Sequence, residues 1–456
     1  MGKNLVIVVL AAALVWCSWL LTRESEISAR PPGRDDPHRE LFDRVVADLP
    51  GVGVGFCLMD EKGTVVSQWN ADQAMIPASS FKTLTTIAAL DLLGPDFRFR
   101  TEVYFGGKTG DLVLRGGGDP TLSIEHLEEL ADEVVKAGIT QIDGGVVGDG
   151  RLFPANMAGD FWGWGDVGNG YGSPTSGLNL EHNRFVAVFQ PGEKVGEVAK
   201  LIEVSPELPG VDWLNEVRTG AAGSGDQVMI YGGPLATRIR MEGTVPLGKA
   251  FAVRGAAPNP PLFAAHHLHQ ALVRKGLSIR KEPRVVEAME ELPEGLPMIQ
   301  RQSAPLSELL PGLHARSDNH ETECLFQMLG VTVGRPAEQV LTDYWRERGV
   351  KNVRIVDGSG LSRADFISPQ DLARVQIVAA RGEHADIYRA SLSSMSGGRI
   401  QLKGGAMSSV RTWTGYVEDG DGERHGFALM FNHYNDGSEL NEWWDALLGE
   451  VMRSNY

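Results

Sequence analysis

The sequence predicts an α+β protein of two or three domains. Three observations carry that reading. At 456 residues the chain exceeds what one hydrophobic core can fill. Strand-like and helix-like apolar runs occur in both the first and the last third of the chain. Between them, to about residue 297, short strand-like runs alternate with Gly and Pro turns. A hydrophobic content of 42% is that of a folded globular protein, and a net charge of -16 provides no basic footprint for a phosphate backbone. Nucleic acid is therefore not expected as a partner.

The first element is an apolar run from Leu5 to Leu21, preceded by Lys3. Trp16 and Trp19 occupy the region where a signal peptidase needs small residues, and Trp16 before Cys17 argues against lipoprotein-type cleavage. An uncleaved signal anchor over residues 1–22 is preferred to a removed signal peptide, and either places the body outside the cytoplasm, in the periplasm. Residues 23–38, rich in charge and proline, are expected to form a tether.

LFDRVVADL has helical spacing, and GVGVGFCLMD and GTVVSQWN read as two strands joined by a turn at Glu61 to Gly63. A helix is expected from Ser79 to Leu93, stopped by Gly94 and Pro95. Strand-like segments flank Gly106 to Gly110, and a helix from Ile124 to Ala137 has Ser123 as its N-cap and Gly138 beyond its end. The last block predicts helices at Leu306 to Leu310 and Thr322 to Leu329. A third follows in SPQDLARVQIVAA, capped by Ser368 with Pro369 at its first position. Strands follow in IQLKGG, VRTWTGYVED and HGFALMFNHY, then an amphipathic C-terminal helix. Cys17, Cys57 and Cys324 form no C-x-x-C pair and read as small apolar residues, not as a disulfide framework or zinc site.

Three short segments carry chemistry. In SSFK, Ser79 and Lys82 stand one turn apart on the same helix face, so the amine can accept the hydroxyl proton if burial keeps it neutral. Alone, the pattern also fits a capping serine and a solvated lysine. SDN, Ser317 to Asn319, falls between two helical runs, where a plain polar turn would read the same way. In LKGG, Lys403 sits on a strand followed by two glycines that let another backbone approach closely.

In this order the three resemble the S-x-x-K, S-D-N and K-T-G set of the penicillin-recognising serine enzymes. LVLRGGGDPTL (Leu112 to Leu122), IDGGVVGDGRLF (Ile142 to Phe153), SGLNLEHNRF (Ser176 to Phe185) and DGSGLSR (Asp357 to Arg363) narrow the resemblance. With the long insertion between the first two motifs, the chain resembles the low-molecular-mass class C penicillin-binding proteins, the D-alanyl-D-alanine carboxypeptidase/endopeptidase family.

That resemblance implies a penicillin-binding/β-lactamase-like transpeptidase fold: a five-stranded antiparallel sheet with helical clusters, split into residues 39–102 and 298–456. Two nested domains would be inserted over 103–297. It implies a serine hydrolase that cuts D-alanyl-D-alanine ends or cross-links of peptidoglycan stem peptides through an acyl-enzyme, is inhibited by β-lactams, and needs no cofactor or metal. Ser79 would be the nucleophile and Lys82 its base. Ser317 would relay a proton to the leaving amine, Asn319 would hold the substrate amide, and Lys403 would supply positive charge. Gly404, Gly405 and Ala406 would line the substrate, with the oxyanion between the N–H groups of Ser79 and Ala406.

The family's K-T-G-T is here Lys403, Gly404, Gly405, Ala406, so two hydroxyls that resemble anchors for the terminal carboxylate are missing. Ser408 and Ser409 are candidates to replace them. The alternative reading is a non-catalytic or weakly active wall-binding scaffold with a degenerate K-T-G motif. A literal KTG at Lys108 to Gly110 precedes SDN and reads as a hairpin turn. His266, His267 and His269 in AAHHLHQAL lack a nearby carboxylate or cysteine and read as an exposed helix face, not a metal site. GGGD at Gly116 to Asp119 lacks the lysine of a phosphate loop. FWGWGD at Phe161 to Asp166 suits packing between domains better than stacking on glycan.

Overall fold

The computed structural model describes residues 36–456 apart from 107–109, 293–294 and 439. The expected anchor and nearly all of the expected tether lie outside the described residues. Among those described, no helix is long and apolar enough to cross a membrane. The end of the expected tether already belongs to the fold. The Asp36 carboxylate accepts from Ser67 Oγ at 2.9 Å and Gln68 N at 2.8 Å, and His38 is buried.

Helix α1 (Arg39–Asp48) buries Leu41, Phe42 and Val45 at helical spacing. Strands β1 (Gly53–Met59) and β2 (Val65–Trp69) form the expected antiparallel hairpin. One 3₁₀ turn, Ala78–Phe81, leads into α2 (Lys82–Leu93), which ends at Gly94 with φ of 85°. Apart from its first residue α2 carries no cation, and it is apolar on nearly all sides, the pattern of a helix enclosed by others.

The chain then leaves for the insert through β3 (Arg100–Gly106), β4 (Asp111–Gly116), α3 (Ile124–Lys136) and β5 (Val146–Asp149). The expected cap of α3 is present, with Ser123 accepting from His126 N. A three-stranded sheet follows, built from β6 (Arg184–Gln190) and β7 (Lys200–Ser205). Nested within it in chain order are β8 (Asp212–Asn215), β9 (Arg218–Gly220), β10 (Gln227–Tyr231) and β11 (Arg238–Pro246), which make a separate four-stranded sheet. Strand β12 (Phe251–Ala256) closes the three-stranded sheet on β6, and α4 (Pro260–Arg274), β13 (Arg284–Val285) and β14 (Ile299–Gln302) return the chain.

The outer sheet of the insert has the order β13-β5-β4-β3-β14. Its two outgoing and returning strands pair with each other, Thr101 opposite Arg301. Residues 100–102 and 299–302 therefore stand in the insert's sheet, not in the catalytic part where the sequence reading put them. Two chain crossings lying side by side satisfy one another's backbone groups. Leu112 and Leu114 of the outer sheet share one apolar cluster with Phe185, Ile239 and Met241 of the inner ones, so the nested units have a common core.

Back in the first part, α5 (Leu306–Arg316), α6 (Asn319–Val333), α7 (Ala337–Glu347), α8 (Pro369–Ala380) and α9 (Ala385–Ser391) precede β15 (Ser393–Met395), β16 (Ile400–Met407), β17 (Val410–Glu418), β18 (Arg424–Asn432) and α10 (Leu440–Val451). The main sheet runs β15-β16-β17-β18-β1-β2, six strands where five were expected, the sixth being the three-residue β15. Alternation along β18 decides its layers: Phe427, Leu429 and Phe431 pack with α1 and α10, Ala428 and Met430 with α2 and α8. The sheet is thus covered on both faces, and β16 beyond Leu402, where β15 has ended, borders the turn before α2 and the turn between α5 and α6.

Candidate active site

The turn before α2 is held from the sheet. The Asn432 side chain bonds both Ile76 N and Ile76 O, at 2.8 and 3.1 Å, and Thr412 Oγ1 and Ser80 Oγ both donate to Pro77 O. Ala78 has φ of 47°, a left-handed conformation that costs a residue with a Cβ and is sustained here by those bonds. The result presents Ser79 half-buried at the helix start.

Lys82 is fully buried. Its Nζ lies 2.9 Å from Ser79 Oγ, 2.5 Å from Asn319 Oδ1 and 2.8 Å from the carbonyl of Ser359. Neither the capping serine nor the solvated lysine of the bland sequence reading is present. Burial pulls the amine down to about 8, although the carboxylates of Asp357 and Glu323 oppose the shift.

Ser317 is the C-cap of α5, left-handed at φ of 53°, and Asp318 is the N-cap of α6, accepting from Glu321 N at 3.1 Å. This tight passage between two helices turns Ser317 and Asn319 toward Ser79. Asp318 is buried, and Arg184 of the insert pairs with both its oxygens at 2.8 and 3.1 Å. Burial opposes that charge, yet Arg184 and His182 hold the carboxyl well below its usual range. Asn319 Nδ2 donates to Tyr171 O at 2.8 Å, a second tie to the insert.

Lys403 Nζ donates to Ser317 Oγ at 2.9 Å and to Gly404 O at 2.6 Å. Burial, then repulsion from Lys82, lowers it to about 7. The structure thus brings the five residues together as two hydrogen-bonded sets, Ser79 with Lys82 and Asn319, and Ser317 with Lys403, close enough for the two amines to repel. Gly405 is buried against the Ser79 turn, Gly404 is half-buried, and Ala406 is exposed. Ser408 and Ser409 form the hairpin end between β16 and β17, where the Ser408 carbonyl accepts from Arg363.

Sequence reasoning assigned no role to the loop after α7. Ser359, which receives Lys82, lies in DGSGLSR, and its loop is fixed by buried acids. Glu323 Oε1 accepts from Gly358 N and Ser359 N at 3.0 and 2.7 Å. Asp357 accepts from Ser359 N, Gly360 N and Ser362 N. Burial, with Asp357 close by, pushes Glu323 up to about 8. The density of Gly, Ser and Asp in that stretch was the available signal, but only the fold shows it to lie against Lys82.

The remaining sequence candidates sort as follows. Lys108 and Thr109 lie outside the described residues, while the strands on either side pair antiparallel. The histidine run is not an exposed face: α4 is enclosed, His267 is buried against Phe263, and its Nε2 meets Glu207 O at 3.0 Å. Asp119 of GGGD pairs with Arg301 at 3.1 Å. Trp162 Nε1 donates to Asp357 Oδ2 at 2.7 Å, so this tryptophan packs between insert and catalytic part, whereas Phe161 and Trp164 are exposed. His182, Asp318 and Glu321 bring three ligand-type atoms within 4.8 Å. Arg184 and Arg316 already occupy the two carboxylates. A cleft of about 600 Å³ opens beside Ser317 and Asn319, lined also by Tyr171, Asp226, Met229 and Arg254.

Residues 42–450 match the model of the D-Ala-D-Ala carboxypeptidase 3 (S13) family. The chain is 25% identical over 446 residues to D-alanyl-D-alanine carboxypeptidase DacB of Haemophilus influenzae, covering 89% of this chain and 91% of that one. It is 28% identical over 453 residues to D-alanyl-D-alanine carboxypeptidase of Actinomadura sp. (strain R39), covering 88% and 81%. Its fold superposes on the crystal structure of penicillin binding protein 4 (dacB) from Haemophilus influenzae with a TM-score of 0.80 at 22% identity, covering 90% of this chain and 99% of that one. A structure of that protein complexed with a β-lactam gives 0.75.

Proposed function

Because the chain belongs to the D-Ala-D-Ala carboxypeptidase 3 (S13) family, we propose that Ser79 is the residue it acylates, with Lys82 as its base. The protein is a penicillin-binding serine carboxypeptidase, a hydrolase acting on peptidoglycan. One observation carries the assignment: a fully buried lysine amine 2.9 Å from Ser79 Oγ, where the three motifs come together.

In the proposed cycle, neutral Lys82 takes the Ser79 proton as Oγ attacks the carbonyl of the D-alanyl-D-alanine bond. The backbone N–H groups of Ser79 and Ala406 receive the developing oxyanion. The proton taken by Lys82 then passes by way of Ser317, which Lys403 holds, to the leaving amine as the C–N bond breaks, so that Lys82 is neutral again. Water then attacks the acyl-enzyme, and its proton returns through the same groups to release Ser79. Asn319 orients both Lys82 and the substrate amide. A terminal D-alanine and a D-alanyl cross-link present the same acyl donor to Ser79. The scaffold alternative rested on Gly404 and Ala406 alone; the five polar groups that the chemistry needs are present, Ser79 and Asn319 bonded to Lys82 and Ser317 to Lys403.

Mass spectrometry of the protein after reaction with a penicillin is the test. The adduct is expected on the peptide at Ser79. An adduct on Ser80, whose hydroxyl is buried and committed to Pro77 O, would overturn the assignment.

The Leu5 to Leu21 run supports a further proposal, that the protein is held to the inner membrane by a signal anchor with its catalytic body in the periplasm. Fractionation is expected to recover full-length protein with the membrane. A mature soluble form beginning beyond residue 22 would show a cleaved signal instead.

A further inference from the structure

With Ser317 passing a proton to the leaving amine, whatever leaves the acyl-enzyme departs past the turn between α5 and α6. A cleft of about 600 Å³ opens there, lined by Ser317 and Asn319 and, from the insert, by Gly170, Tyr171, Met229 and Arg254. Neither Ser79 nor any residue of β16 lines it, so it lies on the Ser317 side of the scissile bond. Its size falls within the range of about 300–1,000 Å³ that encloses whole drug-sized ligands. A departing D-alanine has only a methyl group, an amine and a carboxylate, and leaves most of that space unused.

Backbone pairing places Arg254 in that cleft. Residues 168–170 run along the end of β12, with Ala256 N donating to Gly168 O at 3.0 Å and Asn169 bridged to Gly255. Alternation along β12 buries Val253 and Gly255 and turns Arg254 outward. It stands beside Gly170, where an added Cβ would lie 3.0 Å from the Arg254 Cβ. Tyr171 comes next, and its carbonyl accepts from Asn319. The other two guanidinium groups of the cleft are committed, Arg184 to Asp318 and Arg316 to Glu321. Arg254 is exposed, and among the described residues it makes no hydrogen bond or ion pair. Asp226 also borders the cleft, from the turn before β10, and one of its oxygens accepts from Val228 N at 3.0 Å. The free cation thus belongs to the β12 wall and the anion to the wall of the nested sheet. A guanidinium without a partner keeps its planar fork of donors for a ligand, and that fork matches a carboxylate.

We propose that this cleft holds the leaving half of a peptidoglycan cross-link, and that Arg254 binds a carboxylate of that second stem peptide. Arg254 is thus a specificity residue that touches the departing part of the substrate without taking part in bond making, and the assignment rests on the reading of Ser79, Lys82 and Ser317 as nucleophile, base and relay. A terminal D-alanine and a cross-link present the same acyl donor to Ser79. They differ in what leaves, and only the cross-link has a leaving group long enough to reach β12.

The test uses the purified protein and three synthetic substrates. The first is a peptide ending in D-alanyl-D-alanine. The second is a cross-linked dimer, in which D-alanine is joined to the side-chain amine of a second peptide whose one carboxylate is its free end. The third is that dimer with the free end amidated. Arg254→Ala is expected to lower kcat/KM on the acid dimer about tenfold, mainly through KM. That is the lower end of the loss for hydrogen bonds to a charged group, because the guanidinium is exposed. On the D-alanyl-D-alanine peptide and on the amidated dimer the two proteins are expected to be equal. Arg254→Lys, which keeps the charge and loses the fork, is expected to fall between wild type and Arg254→Ala on the acid dimer. An equal loss on both dimers or on all three substrates would overturn the proposal. So would no loss on the acid dimer, or a wild type that cuts the D-alanyl-D-alanine peptide and neither dimer. If Arg254→Ala fails to fold, Arg254→Gln carries the same comparison. Penicillin labelling separates the two levels of the reading. Absence of an adduct on Ser79 in the wild type sinks the catalytic assignment, whereas normal Ser79 labelling with an indifferent Arg254→Ala sinks this one alone.

Discussion

Replacing Lys82 by alanine is expected to slow acylation of Ser79 by a penicillin about 10²–10⁴-fold, the range that a positioned general base supplies. The variant removes the amine 2.9 Å from the nucleophile and leaves Ser79, its turn and the strands that pin it in place. Circular dichroism should therefore remain that of the wild type. The pH profile provides an independent sign. Only the neutral amine accepts a proton, and burial brings Lys82 down to about 8. In the wild type the acylation rate should rise as pH approaches that value from below and level off above it. In Lys82→Ala that limb should vanish together with the rate. Stopped-flow measurement with a fluorescent penicillin reads both, and wild-type rates in the variant would remove Lys82 from the mechanism.

The second large effect separates two adjacent glycines. A Cβ at Gly405 would stand 2.4 Å from Thr412 Oγ1, 2.7 Å from Ser80 N and 2.8 Å from Pro77 O. Two of those atoms are backbone of the turn that presents Ser79, so Gly405→Ala must push β16 away from it. A shift of about 1 Å in such a site can cost about 10²-fold in rate, and overpacking a close contact costs about 1–3 kcal/mol of stability. Gly404→Ala meets Trp413 Cδ1 at 3.7 Å, an ordinary contact, and should change acylation and melting temperature little. Comparable losses in both variants would mean that the separation of β16 from the turn does not control the chemistry.

How far the sequence could be read depended on the range of the interaction concerned. Local signals served well. The Ser123 and Ser368 caps, the stop at Gly94 and the three strands after Ile400 all follow from neighbours within a few residues, and the fold has them. S-x-x-K was legible because its two members sit one turn apart. The supports of Lys82 were not, since Asn319 and Ser359 lie 237 and 277 residues away in the chain. The same limit explains the histidines of α4. Their spacing marked a helix, but only the elements packed around it decide that His267 is buried. Likewise, no periodicity shows that the two strands joining insert to catalytic part pair with each other. The loss of hydroxyls after Lys403 was plain in the sequence, whereas the close approach of Gly405 to the Ser79 turn depends on the packing of the sheet.

The bond from Trp162 to Asp357 gives the insert a share in the fate of the base. Asp357 fixes the backbone of Ser359, and Ser359 fixes Lys82, so a side chain of the insert stands only three links from the amine. Arg184 forms a similar bridge to the residue between Ser317 and Asn319. Trimming the insert away would leave two buried carboxylates each short of a donor, at about 1–3 kcal/mol for each unsatisfied group. The two halves of the enzyme are therefore not interchangeable modules. Drift in the insert is policed by the chemistry of its neighbour, and an insert taken from a distant relative would have to bring its own indole and guanidinium to the same two acids.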